Sequence, residues 1–307
     1  MILCCGEALI DMVPAATAEG EACFIPKAGG AVFNTAIALG RLGSGTSLYT
    51  GVSADLFGTL LKDTLTASNV GTAHLRTMDA DSTLAFVELN GGNATYTFYA
   101  RNTADTVLTP ADLPDVAETK ALFFGGISLC TDPTASTLQA FMRQQSGTHL
   151  TMIDPNIRAA FIKDEATYRA RLHDMIGHAD ILKISDEDLN WLVPDHTDIP
   201  AQLGALTDGA AKLAFVTRGS KGALAFHGTR EIAQATATPV TVADTIGAGD
   251  TFNAGILHTL EVAGALNKSF AQNPDTAIIE QALALATRAA GITVSRTGAN
   301  PPWQAEL

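Results

Sequence analysis

The run ADTIGAGDTFNAGIL, residues 243–257, sets a glycine turn directly against the start of a helix-period segment, 248 to 263. Gly247, Ala248 and Gly249 are small enough to expose successive backbone N–H groups there, and the helix dipole adds to their pull on an anion. The turn reads as a phosphate cradle. It is not a Walker loop, since no Gly-Lys pair occurs in the chain, and no GxGxxG dinucleotide fingerprint is present. Asp250 lies in the first turn of the helix, beside the cradle. Phosphoryl transfer to an alcohol needs a proton acceptor on the incoming oxygen and charge stabilisation on the phosphoryl oxygens; Asp250 and the N–H groups supply both. A lone Asp on a short glycine turn would be a cap, and the length of this run favours the functional reading.

Outward from this run, short apolar segments bounded by turn residues alternate with helix-period segments. ILCC (2 to 5), SLYTGV (47 to 52), ALFFGG (121 to 126), LTMID (150 to 154), ILKIS (181 to 185) and LAFVT (213 to 217) read as buried strands. Residues 31 to 42, 55 to 68, 134 to 145, 165 to 178, 186 to 193 and 276 to 291 read as helices. The alternation predicts an α/β fold, a parallel sheet covered on both faces, with ligands at the strand carboxyl ends. Residues 12 to 26 and 83 to 100 have strand composition without an intervening helix, and the second carries an Asn-Gly-Gly-Asn turn. They form, on this reading, a small antiparallel sheet that flaps over the ligand crevice.

Hydrophobic residues make up 47% of the 307 and charged residues 17%, enough for a core that needs neither disulfides nor a metal. With 19 Lys and Arg against 32 Asp and Glu, the net charge of −13 repels nucleic acid and anionic membranes. A small anion can still bind at a helix N-terminus. Glu7 and Asp11 interrupt the apolar amino terminus too early for a signal peptide, and no apolar stretch approaches the roughly 20 residues of a bilayer span. Cys4, Cys5, Cys23 and Cys130 show no CxxC spacing, which predicts reduced thiols in the cytoplasm. The absence of HExxH disfavours a zinc enzyme.

DTIGAGD (244 to 250) and AGGAVFNTAIALGRLG (28 to 43) closely resemble, in the right order and spacing, the paired signatures of the ribokinase-like (PfkB) family of carbohydrate kinases. The resemblance runs from GEALID to SRTGANPP. It implies a ribokinase-like three-layer sandwich with a mostly parallel central sheet and a small β-sheet lid. On that expectation residues 1–307 form a single kinase domain, with lid segments at about 12–26 and 80–103 inserted within it. The implied reaction is transfer of the γ-phosphate of ATP to a sugar hydroxyl, with Asp250 as base and the amides of Gly247, Ala248 and Gly249 as anion hole.

The resemblance also assigns Asp11, Gly29, Gly30 and Asn34 to the sugar. An ionised carboxylate only accepts hydrogen bonds, Asn34 both donates and accepts, and paired glycines let the backbone approach closely. Taken alone, Asp11 would be a turn residue and Asn34 a helix cap. TRGSKGALAF (217 to 226) is similar to the nucleotide-side turn, which puts Thr217, Gly219 and Gly222 toward ATP, with Lys183 on the same side and Asn253 across the adenine pocket from the tail. DPNIR (154 to 158) and YARNTAD (99 to 105) are similar to the fructokinase branch and bring in Arg158 and Arg101 as substrate contacts; on local grounds Arg158 could equally be a surface ion pair. Many family members carry Asn-x-x-Glu where this chain has Ser185, Asp186, Glu187 and Asp188. Asp188 keeps the carboxylate linked to magnesium, and Ser185 suits a helix N-terminus. Mg2+ is expected with ATP, held mainly by phosphates and water; K+ beside Asp244 is implied from some members, as is a homodimer through the lid sheets. Fructose is the first acceptor expected and 2-keto-3-deoxygluconate the second. A non-catalytic sugar or nucleotide sensor and a nucleoside kinase are the competing readings.

Overall fold

The structure, a computed structural model, describes residues 1–90, 93–210 and 212–307. In chain order the first half holds β1 (Ile2–Cys5), β2 (Leu9–Ala16), β3 (Ala22–Gly29), α1 (Ala31–Arg41), β4 (Thr46–Tyr49), β5 (Gly51–Ser53), α2 (Leu56–Ala67), β6 (Arg76–Met78), β7 (Leu84–Asn90), β8 (Asn93–Tyr99), β9 (Ala121–Gly125) and α3 (Thr134–Gln145). The second half holds β10 (Leu150–Asp154), α4 (Glu165–His178), β11 (Ile181–Ser185), α5 (Asp186–Leu192), α6 (Ile199–Leu206), β12 (Leu213–Thr217), β13 (Ala223–His227) and β14 (Arg230–Ala235). Three helices close the chain: α7 (Ala248–Val262), α8 (Lys268–Gln272) and α9 (Thr276–Val294).

Eight strands form the central sheet in the order β14-β13-β12-β11-β10-β9-β1-β4, parallel from β12 to β4 and antiparallel at β13 and β14. Alternate residues of each strand face opposite sides. Cys4, Phe123, Met152 and Phe215 join a core with α1, α2, α7 and α9. Leu3, Phe124, Ile153 and Val216 join one with α3, α4, α5 and α6. Burial on both faces explains why the strands read as unbroken apolar runs. Phe252 of α7 meets Phe215 of β12 edge-on at 6.5 Å, which fixes the start of α7 over the sheet.

The expected small sheet exists as a separate four-stranded sheet in the order β3-β2-β7-β8. It is not wholly antiparallel: β2 pairs parallel with β7, because the chain leaves the small sheet after β3 and returns only after α2 and β6. Two glycines of the expected Asn-Gly-Gly-Asn turn, Gly91 and Gly92, lie outside the described residues. The segment expected as one strand over 47 to 52 divides at Thr50, where β4 pairs with β1 and β5 pairs with β6 in a third, two-stranded sheet. The 217-to-226 turn opens into a hairpin, β13 and β14, that widens the central sheet. The expectation that no apolar stretch reaches span length needs correction. Helix α9 has 19 residues and is long and apolar enough by composition, yet Ile279, Ala282, Leu283 and Ala286 are buried in the core shared with α7.

Candidate active site

The parallel strands release their chains at one edge of the sheet, and the residues there come from segments far apart in sequence. Asp154 ends β10, Lys183 lies near the end of β11, and Thr217 ends β12. Helices α1 and α7 begin at the same edge, and neither is capped by the residue that precedes it, Gly30 before α1 and Gly247 before α7. A helix start without a cap leaves amides open to other acceptors. Gly247 sits at φ 78°, and an added Cβ would lie 2.9 Å from the Ala299 Cβ, so the turn requires glycine. The Ala248 N–H reaches the Thr245 carbonyl at 3.4 Å. Gly249 and Asp250 lie within the first helical positions, whose N–H groups have no partner inside the helix.

Asp250 is buried, and its Oδ2 accepts from the Asn34 Nδ2 at 3.0 Å. Burial pushes its pKa up to about 7, and the charge of Asp154 adds to this; the Asn34 bond and the charges of Lys183 and Arg158 act the other way. A carboxylate poised near neutrality suits a general base. Beside it lies a buried cluster: Lys183 Nζ donates to Asp154 Oδ2 at 2.8 Å, and Asn253 Nδ2 donates to the same oxygen at 2.7 Å. Asp154 Oδ1 and Asn253 Oδ1 are buried without a partner among the described residues. Lys183 Nζ lies 3.1 Å from the position of a Cβ added at Gly249, which puts the ammonium directly under the cradle.

A cavity of about 680 Å³ opens over this edge. Lys183, Asp188, Thr217, Gly219, Gly222, Ala248, Gly249 and Arg158 all line it, while Val240 and Val294 give it an apolar wall. Asn253 does not line it. The expectation that it faces adenine is corrected: the side chain is 1% exposed and turned to Asp154, a partner 99 residues away that sequence cannot reveal. Ser185 caps α5 by accepting from the Asp188 N–H at 3.0 Å. Asp188 Oδ2 accepts from the Ile157 N–H at 3.3 Å, and burial followed by the charge of Asp154 raises its pKa.

On the other side of Asp250, α1 presents Asn34, and the turn before α1 presents Gly29 and Gly30. An added Cβ at Gly29 would overlap Asp11 Oδ2, so glycine admits the carboxylate. Burial raises the Asp11 pKa to about 6. Arg101 lies exposed just beyond β8 and does not line the cavity. Asp244 ties the cradle loop to the tail: Oδ1 accepts from the Ile246 N–H at 3.0 Å and Oδ2 from the Gly298 N–H at 2.9 Å. Among the buried carboxylates, Glu7 and Asp154 escaped assignment from sequence. Glu7 stands two residues past the apolar strand β1 and Asp154 ends the fully buried strand β10, and a charge at such a point is the signal that was there to be used.

Phosphoryl transfer to an alcohol asks a protein for a base beside an anion cradle, and the strand ends of this sheet carry that pair: the class is a phosphotransferase for small molecules. Residues 1–306 match the pattern described as pfkB family carbohydrate kinase. A fructokinase of Rhizobium leguminosarum bv. trifolii is 47% identical over 271 residues, 87% of this chain and 82% of that protein. The crystal structure of a fructokinase with bound ATP from Xylella fastidiosa aligns with a TM-score of 0.86 at 28% identity, covering 97% of this chain and 93% of that one. Fructokinase from Vibrio cholerae O395, in a form with fructose, ADP and calcium ion, aligns at 0.83 with 27% identity over 97% and 94%. The chain belongs to the pfkB family of carbohydrate kinases and is a sugar kinase.

Proposed function

We propose that the protein is a fructokinase: it moves the γ-phosphate of ATP to a hydroxyl of fructose, with Asp250 as general base. The observation that carries this reading is the buried Asp250 carboxylate, bonded to Asn34 on the acceptor side and set in the first turn of α7 beside the cradle. The 47% identity to a fructokinase supports the choice of sugar. Asp11, Asn34 and the backbone at Gly29 and Gly30 hold the sugar. Asp250 takes the proton of the attacking hydroxyl, while the N–H groups of residues 247–249 and the Lys183 ammonium stabilise charge on the phosphoryl oxygens. ATP occupies the 680 Å³ cavity, with Thr217, Gly219 and Gly222 toward its phosphates. Residues 1–307 act as one kinase domain, with the small sheet as its lid, and Arg158 and Arg101 complete the approach to the substrate.

The buried, unpartnered Oδ1 of Asp154 and the cavity-lining Asp188 fit a magnesium ion bound through water. Such an ion supplies charge neutralisation on the phosphates. Potassium at Asp244 would use the remaining lone pairs of oxygens that already accept from Ile246 and Gly298. The buried Cys4 and Cys5, with no disulfide, suit a cytoplasmic enzyme.

An ADP-release assay over hexoses, ribose, nucleosides and 2-keto-3-deoxygluconate tests the acceptor. Fructose should give the highest kcat/KM, and a better value with any other substrate overturns the choice. Asp11 adds a pH signature. It accepts sugar hydroxyls on both oxygens, with full charge assistance, only when ionised, and its pKa of about 6 means that binding weakens as pH falls through that value. On an Asp250→Asn background, fructose affinity by calorimetry should drop about tenfold between pH 8 and pH 5, and Asp11→Asn should flatten the dependence.

The dimer reading has its own support. Phe24, Phe86 and Tyr99 form an edge-on aromatic row across the small sheet, with centroids 5.0 and 5.5 Å apart, while Phe24 and Ile25 are each 45% exposed and Tyr99 62%. A contiguous apolar row open to solvent favours pairing. Light scattering should give a dimer for the wild-type chain and a monomer for Phe24→Ser/Tyr99→Ser; a dimer that survives both changes rules out this face.

A further inference from the structure

Glu7 is 1% exposed, lies between β1 and β2, and holds three backbone amides from two other parts of the chain. Oε1 accepts from the Ala31 N–H at 2.8 Å and from the Val32 N–H at 3.5 Å; Oε2 accepts from the Ser128 N–H at 3.2 Å. Ala31 and Val32 are the first two residues of α1, whose preceding residue Gly30 has no side chain to cap them. Glu7 thus caps α1 from a different segment and meets its dipole with a carboxylate. The surroundings are shaped for it. Gly30, at φ 110°, leaves only 3.1 Å between an added Cβ and both the Glu7 Cγ and its carbonyl, and a Cβ at Gly126, at φ 70°, would overlap the carboxylate outright.

Four residues into α1 stands Asn34, whose side chain bonds Asp250, and directly before α1 stand Gly29 and Gly30. We infer that Glu7 is a positioning residue of the acceptor site: by pinning the start of α1 against the turn after β9, it sets both the glycine pair and the Asn34–Asp250 contact. This inference rests on the sugar kinase reading. The nucleotide cavity is built from other elements, chiefly β11, β12, α7 and α9, so the effect of losing the carboxylate falls on the sugar and on turnover. Burial raises the Glu7 pKa, and the amides of Ser128 and Ala31 oppose the rise, in keeping with a group whose partners are all donors.

Glu7→Gln keeps the shape of the side chain and sets an NH2 group against an N–H. In the full-length enzyme its KM for fructose should rise, and its kcat should fall, each about tenfold, as for a lost charge-assisted hydrogen bond. The KM for ATP should stay within about twofold, by the same separation of sites. Glu7→Asp, one methylene shorter, should show the same split between sugar and ATP. A variant that melts earlier but keeps its fructose KM and kcat overturns the inference, and so does failure of both variants to fold, since the carboxylate would then serve the fold alone. Wild-type enzyme run in parallel separates the two readings. No turnover with any sugar sinks the kinase reading and this inference with it, whereas an active Glu7→Gln enzyme with unchanged constants sinks this inference alone.

Discussion

Asp250→Asn should lower kcat by about a hundredfold or more while fructose and ATP still bind, because it removes the proton acceptor and keeps the shape of the site. Single-turnover kinetics with calorimetry checks both halves; retention of wild-type turnover would remove Asp250 from the role of base. The wild-type enzyme should also lose activity as pH falls through about 7, the pKa to which burial raises Asp250. The sign follows from the form required: only the ionised carboxylate accepts a proton, and below its pKa it is already occupied. The same burial opposes stability. A carboxyl whose folded pKa is raised binds more protons folded than unfolded, so its contribution declines between its ordinary pKa of 3.8 and about 7. Asp250→Asn should therefore melt at a higher temperature than wild type at pH 8, trading function for stability.

The second large effect is expected at the buried pair beneath the cradle. Lys183 and Asp154 are 5% and 2% exposed at the side chain and 2.8 Å apart. Removing one partner leaves the other charge uncompensated, which costs about 3–5 kcal/mol. Lys183→Met and Asp154→Asn should both be destabilised on that scale in urea titrations, and the double variant should recover much of the loss. Their effects on the pH profile should have opposite signs. Lys183 lowers the Asp250 pKa and Asp154 raises it, so the acid limb of kcat should move to higher pH without the lysine and to lower pH without the aspartate. Shifts in the same direction would show that the two charges do not act on Asp250 as the geometry requires.

The parts legible in sequence were those governed by local rules. ILCC, LTMID, ILKIS and LAFVT match β1, β10, β11 and β12 residue for residue, since short apolar runs between turn residues have one economical placement in a sheet buried on both faces. Helices α3 and α4 match as well. The hairpin β13–β14 escaped because REIAQA is half exposed at a sheet edge and lacks the apolar run that marked its neighbours. Helix α9 continues three residues past the expected end, through Gly291 to Val294, since a single glycine lowers helix propensity by only about 1 kcal/mol and does not by itself end a helix. The cradle and its aspartate were visible because both lie in one run of seven residues, 244 to 250. The Asn34–Asp250 bond joins residues 216 apart, and the Asn253–Asp154 bond joins residues 99 apart. Spacing carries no trace of either, and the misreading of Asn253 follows directly.

Strand β3 ends at Gly29 and helix α1 begins at Ala31, with one residue between them. Asp11 stands on β2, hydrogen-bonded strand to strand with β3 through its neighbours. No slack peptide separates the small sheet from the turn before α1, so a tilt of that sheet away from the body would drag Gly29 and Asp11 with it. If those groups hold the sugar as proposed, the acceptor pocket would be complete only with the small sheet held against the body, and a water molecule, which offers no ring for them to hold, would be a poor trigger for that arrangement.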